Sequence, residues 1–195
     1  EIPSFKSSIR LMDEESFYQT TGAPRWTNAM FYRGQIMIPI STSTPENFSE
    51  LFRSVKHEYT HAVIHSLSAG KCPGWIDEGL AQWAEEKANP ALKPALYRWL
   101  KKNDPVPLKL LQGGFTRLSH DMVPAAYAQS LFASNTIVET YGFEKLKEYF
   151  RYLRSDYGKE AAFKRAFGVS EHDFEELLSD ELKFWAERYQ ASLQY

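Results

Sequence analysis

The chain has 195 residues, a formal net charge of −2, 43% hydrophobic residues and 15% aromatic ones, which is enough apolar material for one domain to bury its own core. Lys and Arg are interspersed among Asp and Glu, which argues against nucleic acid as the main partner, and no apolar run approaches the roughly 18 residues that a membrane-spanning helix needs. The only cysteine, Cys72, can form no internal disulfide and reads as a small buried or half-buried residue rather than a ligand.

From the N-terminus, residues 4–12 alternate polar and apolar as a strand does, and residues 13–20 read as a short helix or turn ahead of Thr21-Gly22-Ala23-Pro24. The chain begins at Glu1 rather than Met, so a targeting segment or an upstream domain is expected to have been removed. Residues 26–32 and 35–40 are two β-rich runs joined at Arg33-Gly34, the pattern of a hairpin. The second run, Gln35-Ile36-Met37-Ile38-Pro39-Ile40, carries a proline near its end. Proline cannot donate to a ladder, which suits an edge strand.

The chemistry is concentrated in residues 55–86. His57-Glu58-Tyr59-Thr60-His61 places two histidines four apart, so on a helix they share one face about a turn apart and both imidazoles reach one metal ion. The flanks are helical: Leu51, Phe52, Val55, Ala62, Val63 and Leu67 keep the period, Pro45, Asn47 or Ser49 offers a start, and Gly70 and Pro73 offer a stop. Glu58 points about 100° around the helix from His57, where it is placed to take a proton from a metal-bound water. Catalytic zinc sites use three protein ligands and leave the fourth position to water. His65 is not the third, because eight residues from His57 it stands about 12 Å along the axis. A metzincin arrangement is excluded as well, since Ile64 and Leu67 occupy the places of its glycine and third histidine. Glu78 remains, on a second helical segment at 75–86 entered through Lys71-Cys72-Pro73-Gly74, where a helix–turn–helix would turn its carboxylate toward both imidazoles.

Downstream, residues 90–101 carry Leu92, Leu96, Trp99 and Leu100 at helical spacing, and Asn103-Asp104-Pro105-Val106-Pro107 breaks the pattern. Residues 108–121 form a connection with two glycines. Residues 123–141 read as a long helix bearing Tyr127, Leu131, Phe132, Ile137 and Val138 and closed by Gly142. Three more helices are expected at 143–153, 159–167 and 171–191, punctuated by Gly158 and Gly168. Ser170-Glu171-His172-Asp173 is an N-terminal capping signature, which makes His172 a first-turn surface residue. There is no internal repeat. The expected architecture is one α+β domain over 1–195, mostly helical: a small N-terminal sheet (1–44), the two metal-motif helices (45–88) and a C-terminal helical part (89–195), with the cleft between sheet and C-terminal helices.

His57-Glu58-Tyr59-Thr60-His61 followed by Pro73-Gly74-Trp75-Ile76-Asp77-Glu78-Gly79-Leu80-Ala81-Gln82-Trp83-Ala84-Glu85 resembles the gluzincin metallopeptidases, and in particular the bacterial peptidase MA-like domains with their W-x-x-E-G-x-A second motif. The resemblance is specific over residues 51–87. It implies a zinc metallopeptidase with one Zn2+ per chain held by His57, His61 and Glu78, with Glu58 as general base and acid. It also implies a peptide or protein substrate and an extracytoplasmic location, periplasmic or secreted. The G-x-M-E-N motif of gluzincin aminopeptidases is absent, which points to an endopeptidase. Residues 35–38 would be the edge strand on which an extended substrate pairs.

By the same resemblance Tyr127, in Ala126-Tyr127-Ala128-Gln129, matches the A-Y-x-Q helix start that follows the zinc motifs and would donate a hydrogen bond to the developing oxyanion. His120, in the loop before it, is the alternative. There is one departure: thermolysin has an aspartate four residues after its third ligand, and Gln82 stands there, so the outer partner of one histidine is left unassigned. A competing, non-enzymatic reading is a gluzincin-like fold used as a protein-interaction module. Tightly bound zinc with an open fourth position separates the two.

Overall fold

The computed structural model describes residues 8–25, 27, 29–40, 47–86 and 89–193. The expected strand residues 4–7, Trp26, Asn28 and the candidate helix start Pro45 lie outside the described residues. The fold is α+β and mostly helical: three strands, β1 (Ser8–Met12), β2 (Met30–Tyr32) and β3 (Gln35–Pro39), precede most of the helices. The helices are α1 (Glu14–Thr21), α2 (Asn47–Ser68), α3 (Gly74–Ala84), α4 (Leu92–Leu100), α5 (Val123–Arg154), α6 (Lys159–Phe167) and α7 (Glu171–Ser192). Short 3-10 turns at Leu108–Leu111 and Phe115–Arg117 fill the connection before α5.

The helix ends follow local chemistry. Asp13 caps α1 by accepting from Ser16 N at 2.9 Å, and Ser170 and Asp173 form a reciprocal capping box at the start of α7. His172 is exposed there, beside Glu176, as its position in the cap predicts. Within α5, Gly142 has φ 78° and ψ 165°. Such a backbone is open only to glycine, so the element runs as two helices across a kink at the position where the sequence ends its long helix.

One expectation is corrected by the sheet. The strand order is β1-β3-β2, with β1 parallel to β3 and β2 antiparallel to it. Residues 35–38 are therefore in the middle strand, not at an edge. The reason is visible in the run itself: Ile36, Met37 and Ile38 are consecutive and all buried, as in a strand covered on both faces, where alternation is lost. Pro39 pairs with Met12 at the strand's end, where the missing N–H interrupts nothing inside the ladder. The strand at the outer edge beside α2 is β2.

Two apolar clusters hold the elements. Ala29, Ile36 and Ile38 pack with Phe31, Leu51 and Val55, which seats the sheet on the first half of α2. The larger core includes Trp75, Tyr149, Phe163 and Phe174, each at most 1% exposed. Trp75 stacks on Phe174 at 5.7 Å between ring centroids, and Tyr149 meets Phe163 edge-on at the same separation. Fully burying such a side chain is worth about 1.5–3 kcal/mol, so the start of α3 is anchored to α5, α6 and α7 three residues before Glu78. The candidate site lies where α3 then meets α2.

Candidate active site

The regular turn of α2 carries His57 and His61 on one face, with ring centroids 4.8 Å apart and planes at 79°. Opposite them, α3 presents Glu78, whose Oε2 lies 3.6 Å from His57 Nε2 and 3.9 Å from His61 Nε2. This arrangement depends on how closely α3 can approach α5. A Cβ at Gly79 would stand 2.2 Å from both Ser130 O and Ser134 Oγ, so only glycine lets the two helices touch there. Gln82, one turn on, donates from Nε2 to Glu78 O at 3.1 Å and to Tyr127 O at 2.9 Å, a bond that joins α3 to the start of α5.

Glu58 is 8% exposed and faces the sheet. Its Oε2 accepts from Phe31 N of β2 at 2.5 Å. One nitrogen from each imidazole and one Glu58 oxygen lie within 4.8 Å of one another. Two carboxylates are therefore within reach of the histidine pair, and their partners differ. Glu58 is occupied by the Phe31 amide, whereas Glu78 Oε2 is buried with no hydrogen-bond partner. A buried acceptor left without a donor is costly unless something positive meets it. Ligand atoms about 2.0–2.1 Å from a tetrahedral ion stand about 3.3 Å apart, so the distances from Glu78 to both imidazoles fit one shared ion after a shift of about half an ångström. His57, His61 and Glu78 together could thus hold a divalent metal.

The other ring nitrogen of each histidine meets an acid. His57 Nδ1 is hydrogen-bonded to Glu85 Oε1 at 2.7 Å, and Glu85 Oε2 is paired with Arg53 Nε at 3.3 Å. His61 Nδ1 lies 2.9 Å from Asp77 Oδ1, close enough for charge stabilisation but without a hydrogen bond's alignment. The electrostatics agree with a cation-seeking centre. Burial by itself lowers the His57 pKa, yet Glu78 and Glu85 overturn it and hold it up to about 10. His61 is likewise raised by Asp77 and Glu78 against burial. Burial pushes Glu78 up, but the two imidazoles bring it below the ordinary carboxylate range. Glu58 is raised, because burial outweighs the attraction of His61 and His57.

The four residues of the two motifs are thus brought together. Tyr127 is half-buried near the start of α5 with its ring edge-on to Phe115 at 5.0 Å. Its phenol pKa is raised by burial and then by the charges of Glu78 and Glu58, so it lies within their electrostatic reach. His120 is exposed in the turn before α5. His65 is exposed too, its ring edge-on to Phe31 at 5.9 Å, away from the ligand pair as the helical rise requires. Cys72 is half-buried, and burial pushes its thiol up, which leaves it an inert packing residue. The motifs alone give no role to Asp77, Glu85 or Arg53. Glu85 stands seven residues after Glu78, two turns along the same helix face, and that spacing is the signal that could have found it.

No helix among the described residues is long and apolar enough to cross a membrane. Searches of curated proteins and of solved structures gave no match. Residues 12–183 match the family model of the Peptidase MA superfamily. With a match over most of its length and a His-Glu-x-x-His helix facing a glutamate on the next helix, the chain belongs to the Peptidase MA superfamily.

Proposed function

We propose that this protein hydrolyses peptide bonds with one bound zinc ion, with His57, His61 and Glu78 as its ligands and Glu58 as general base and acid. The observation that carries the reading is the buried Glu78 Oε2, which has no hydrogen-bond partner and faces Nε2 of both histidines, while Glu58, the carboxylate grouped with the two imidazoles, is already engaged by the Phe31 amide. When bound, zinc would supply the Lewis acidity that polarises the scissile carbonyl and brings the pKa of a water molecule toward neutrality.

Proton movement then falls to Glu58. Its pKa is raised by burial, which brings its basicity nearer the operating pH. The Phe31 N–H fixes one carboxylate oxygen and leaves Oε1 to take the proton of the attacking water and pass it to the leaving amine. Tyr127, within electrostatic reach of Glu58 and Glu78, would donate to the carbonyl oxygen as negative charge builds there. A peptide or protein chain is the substrate, and we read the activity as internal cleavage. Because β3 is central, an extended substrate would pair along the outer edge of β2, the strand that touches the general base.

Digestion of a peptide library read by mass spectrometry, with metal analysis in parallel, tests the reading. Glu58→Gln is expected to retain zinc and fold while hydrolysis falls about 10²–10⁴-fold. His61→Ala and Glu78→Ala are each expected to lose stoichiometric zinc. A fully active Glu58→Gln variant removes Glu58 from the chemistry, and full zinc content in both ligand variants overturns the metal assignment.

A further inference from the structure

The place four residues after Glu78 is taken by Gln82, whose amide is spent on the Glu78 and Tyr127 carbonyls. His57 nevertheless has an acid on its outer nitrogen, drawn from one turn further along. Glu85 Oε1 is 2.7 Å from His57 Nδ1, and the second oxygen of the same carboxylate is 3.3 Å from Arg53 Nε. Arg53 lies one turn before His57 on α2. The three residues therefore close a loop from α2 to the end of α3 and back. Both oxygens of Glu85 are used, and its side chain is 14% exposed, so the carboxylate is held from two sides. Lys56 and Glu86, next to these residues in sequence, form a separate exposed pair at 2.6 Å that touches no histidine.

We propose that Arg53 and Glu85 act as a two-residue positioning arm for His57. Arg53 holds the Glu85 carboxylate, and Glu85 accepts from Nδ1–H, so the imidazole is kept in the tautomer that presents a bare Nε2 toward Glu78. This rests on the reading of His57, His61 and Glu78 as zinc ligands. Outer partners of this kind orient the ring and raise the basicity of the ligating nitrogen, and their loss costs 10- to 100-fold in metal affinity in comparable sites, as a rough guide. His61, whose Asp77 neighbour is close but not aligned, depends less on its own acid. The arm is the better-formed of the two supports.

The test is zinc affinity, measured on the purified chain by competition with a chromophoric chelator, together with the melting temperature of the metal-free protein. Glu85→Ala is expected to weaken zinc binding by about 10- to 100-fold with the metal-free melting temperature little changed. Glu85→Gln, which keeps an acceptor oxygen and the side-chain shape, is expected to recover a large part of that loss. Arg53→Ala is expected to cost less than Glu85→Ala and to add little in the Glu85→Ala background, because its effect passes through Glu85. Glu86→Gln is the control and should bind zinc as the parent does. If Glu85→Ala stays within about threefold of the parent, if Gln does no better than Ala, or if the Arg53 effect is fully additive, the positioning arm is wrong while the metal centre stands. A parent chain that takes up no zinc overturns both.

Discussion

Glu58, which is buried, and Glu78, which is half-buried, stand beside the same pair of imidazoles, and what distinguishes them is the hydrogen-bond donor each already has. The Phe31 amide satisfies one oxygen of Glu58, whereas Glu78 Oε2 has none. Burial, and then the negative charges of Glu78 and Glu58, raise the Tyr127 pKa, so the phenol keeps its proton at neutral pH and stays a donor. Tyr127→Phe, which removes only the hydroxyl, is expected to lower kcat on the order of 10²-fold with zinc content and melting temperature little changed. The sign of the pKa shift adds a second expectation: since the folded pKa lies above that of free tyrosine, no alkaline loss of activity up to about pH 10 arises from this group. The pH profile of Tyr127→Phe should therefore parallel that of the parent; an alkaline limb that vanishes in the variant would assign that limb to the phenol. The His57-Glu58-Tyr59-Thr60-His61 spacing made three candidate site residues legible without a structure, because helical geometry alone puts them together. Glu85 and Arg53 were not legible in the same way. Their meeting with His57 depends on where α3 crosses α2, which no local pattern encodes.

At the scale of the elements, α3 is fixed at its start and at its middle, on either side of Glu78. Trp75 is sunk in the aromatic cluster with Phe163 and Phe174, and Gly79 lies against the backbone of α5 at Ser130. Gly79→Ala must push a backbone carbonyl aside, so it is expected to destabilise the fold by about 1–3 kcal/mol, at about 2–4 °C of melting temperature per kcal/mol for a chain of this size. It should also weaken zinc binding, since α3 can relieve the overlap only by carrying Glu78 with it. A thermal melt and a chelator competition measure the two effects, and an alanine variant that melts like the parent would mean that the helices have room to spare. The helices themselves were readable from period and caps, including the break at Gly142, where a positive φ imposes a kink. The sheet order was not. Pro39 suggested an edge, and only the unbroken Ile36-Met37-Ile38 run hinted at the central position that β3 occupies.

Across the whole molecule, the metal-motif helix α2 is seated on the small sheet through Leu51 and Val55, while α3 belongs to the helical core. A metal bound at the proposed centre between α2 and α3 would tie the two clusters together, and a ligand that binds only the folded state stabilises it by about 2.7 kcal/mol at a hundredfold excess over its Kd. Chelation is therefore expected to lower the melting temperature by several degrees while leaving helical circular dichroism nearly intact, because Trp75, Tyr149, Phe163 and Phe174 pack without help from the metal. Collapse of the helical signal on chelation would show instead that the aromatic cluster does not stand alone. The hydrogen bond from Phe31 to Glu58 has one more consequence. Amides on the rim of a three-stranded sheet exchange their hydrogens with solvent readily, yet this one is held by a buried side chain, so in deuterated water it should exchange more slowly in the parent than in Glu58→Ala. A peptide laid along the edge of β2 would change the solvent access of this amide, and the exchange rate of a single backbone N–H would then report occupancy of the cleft even in a variant that can no longer cut.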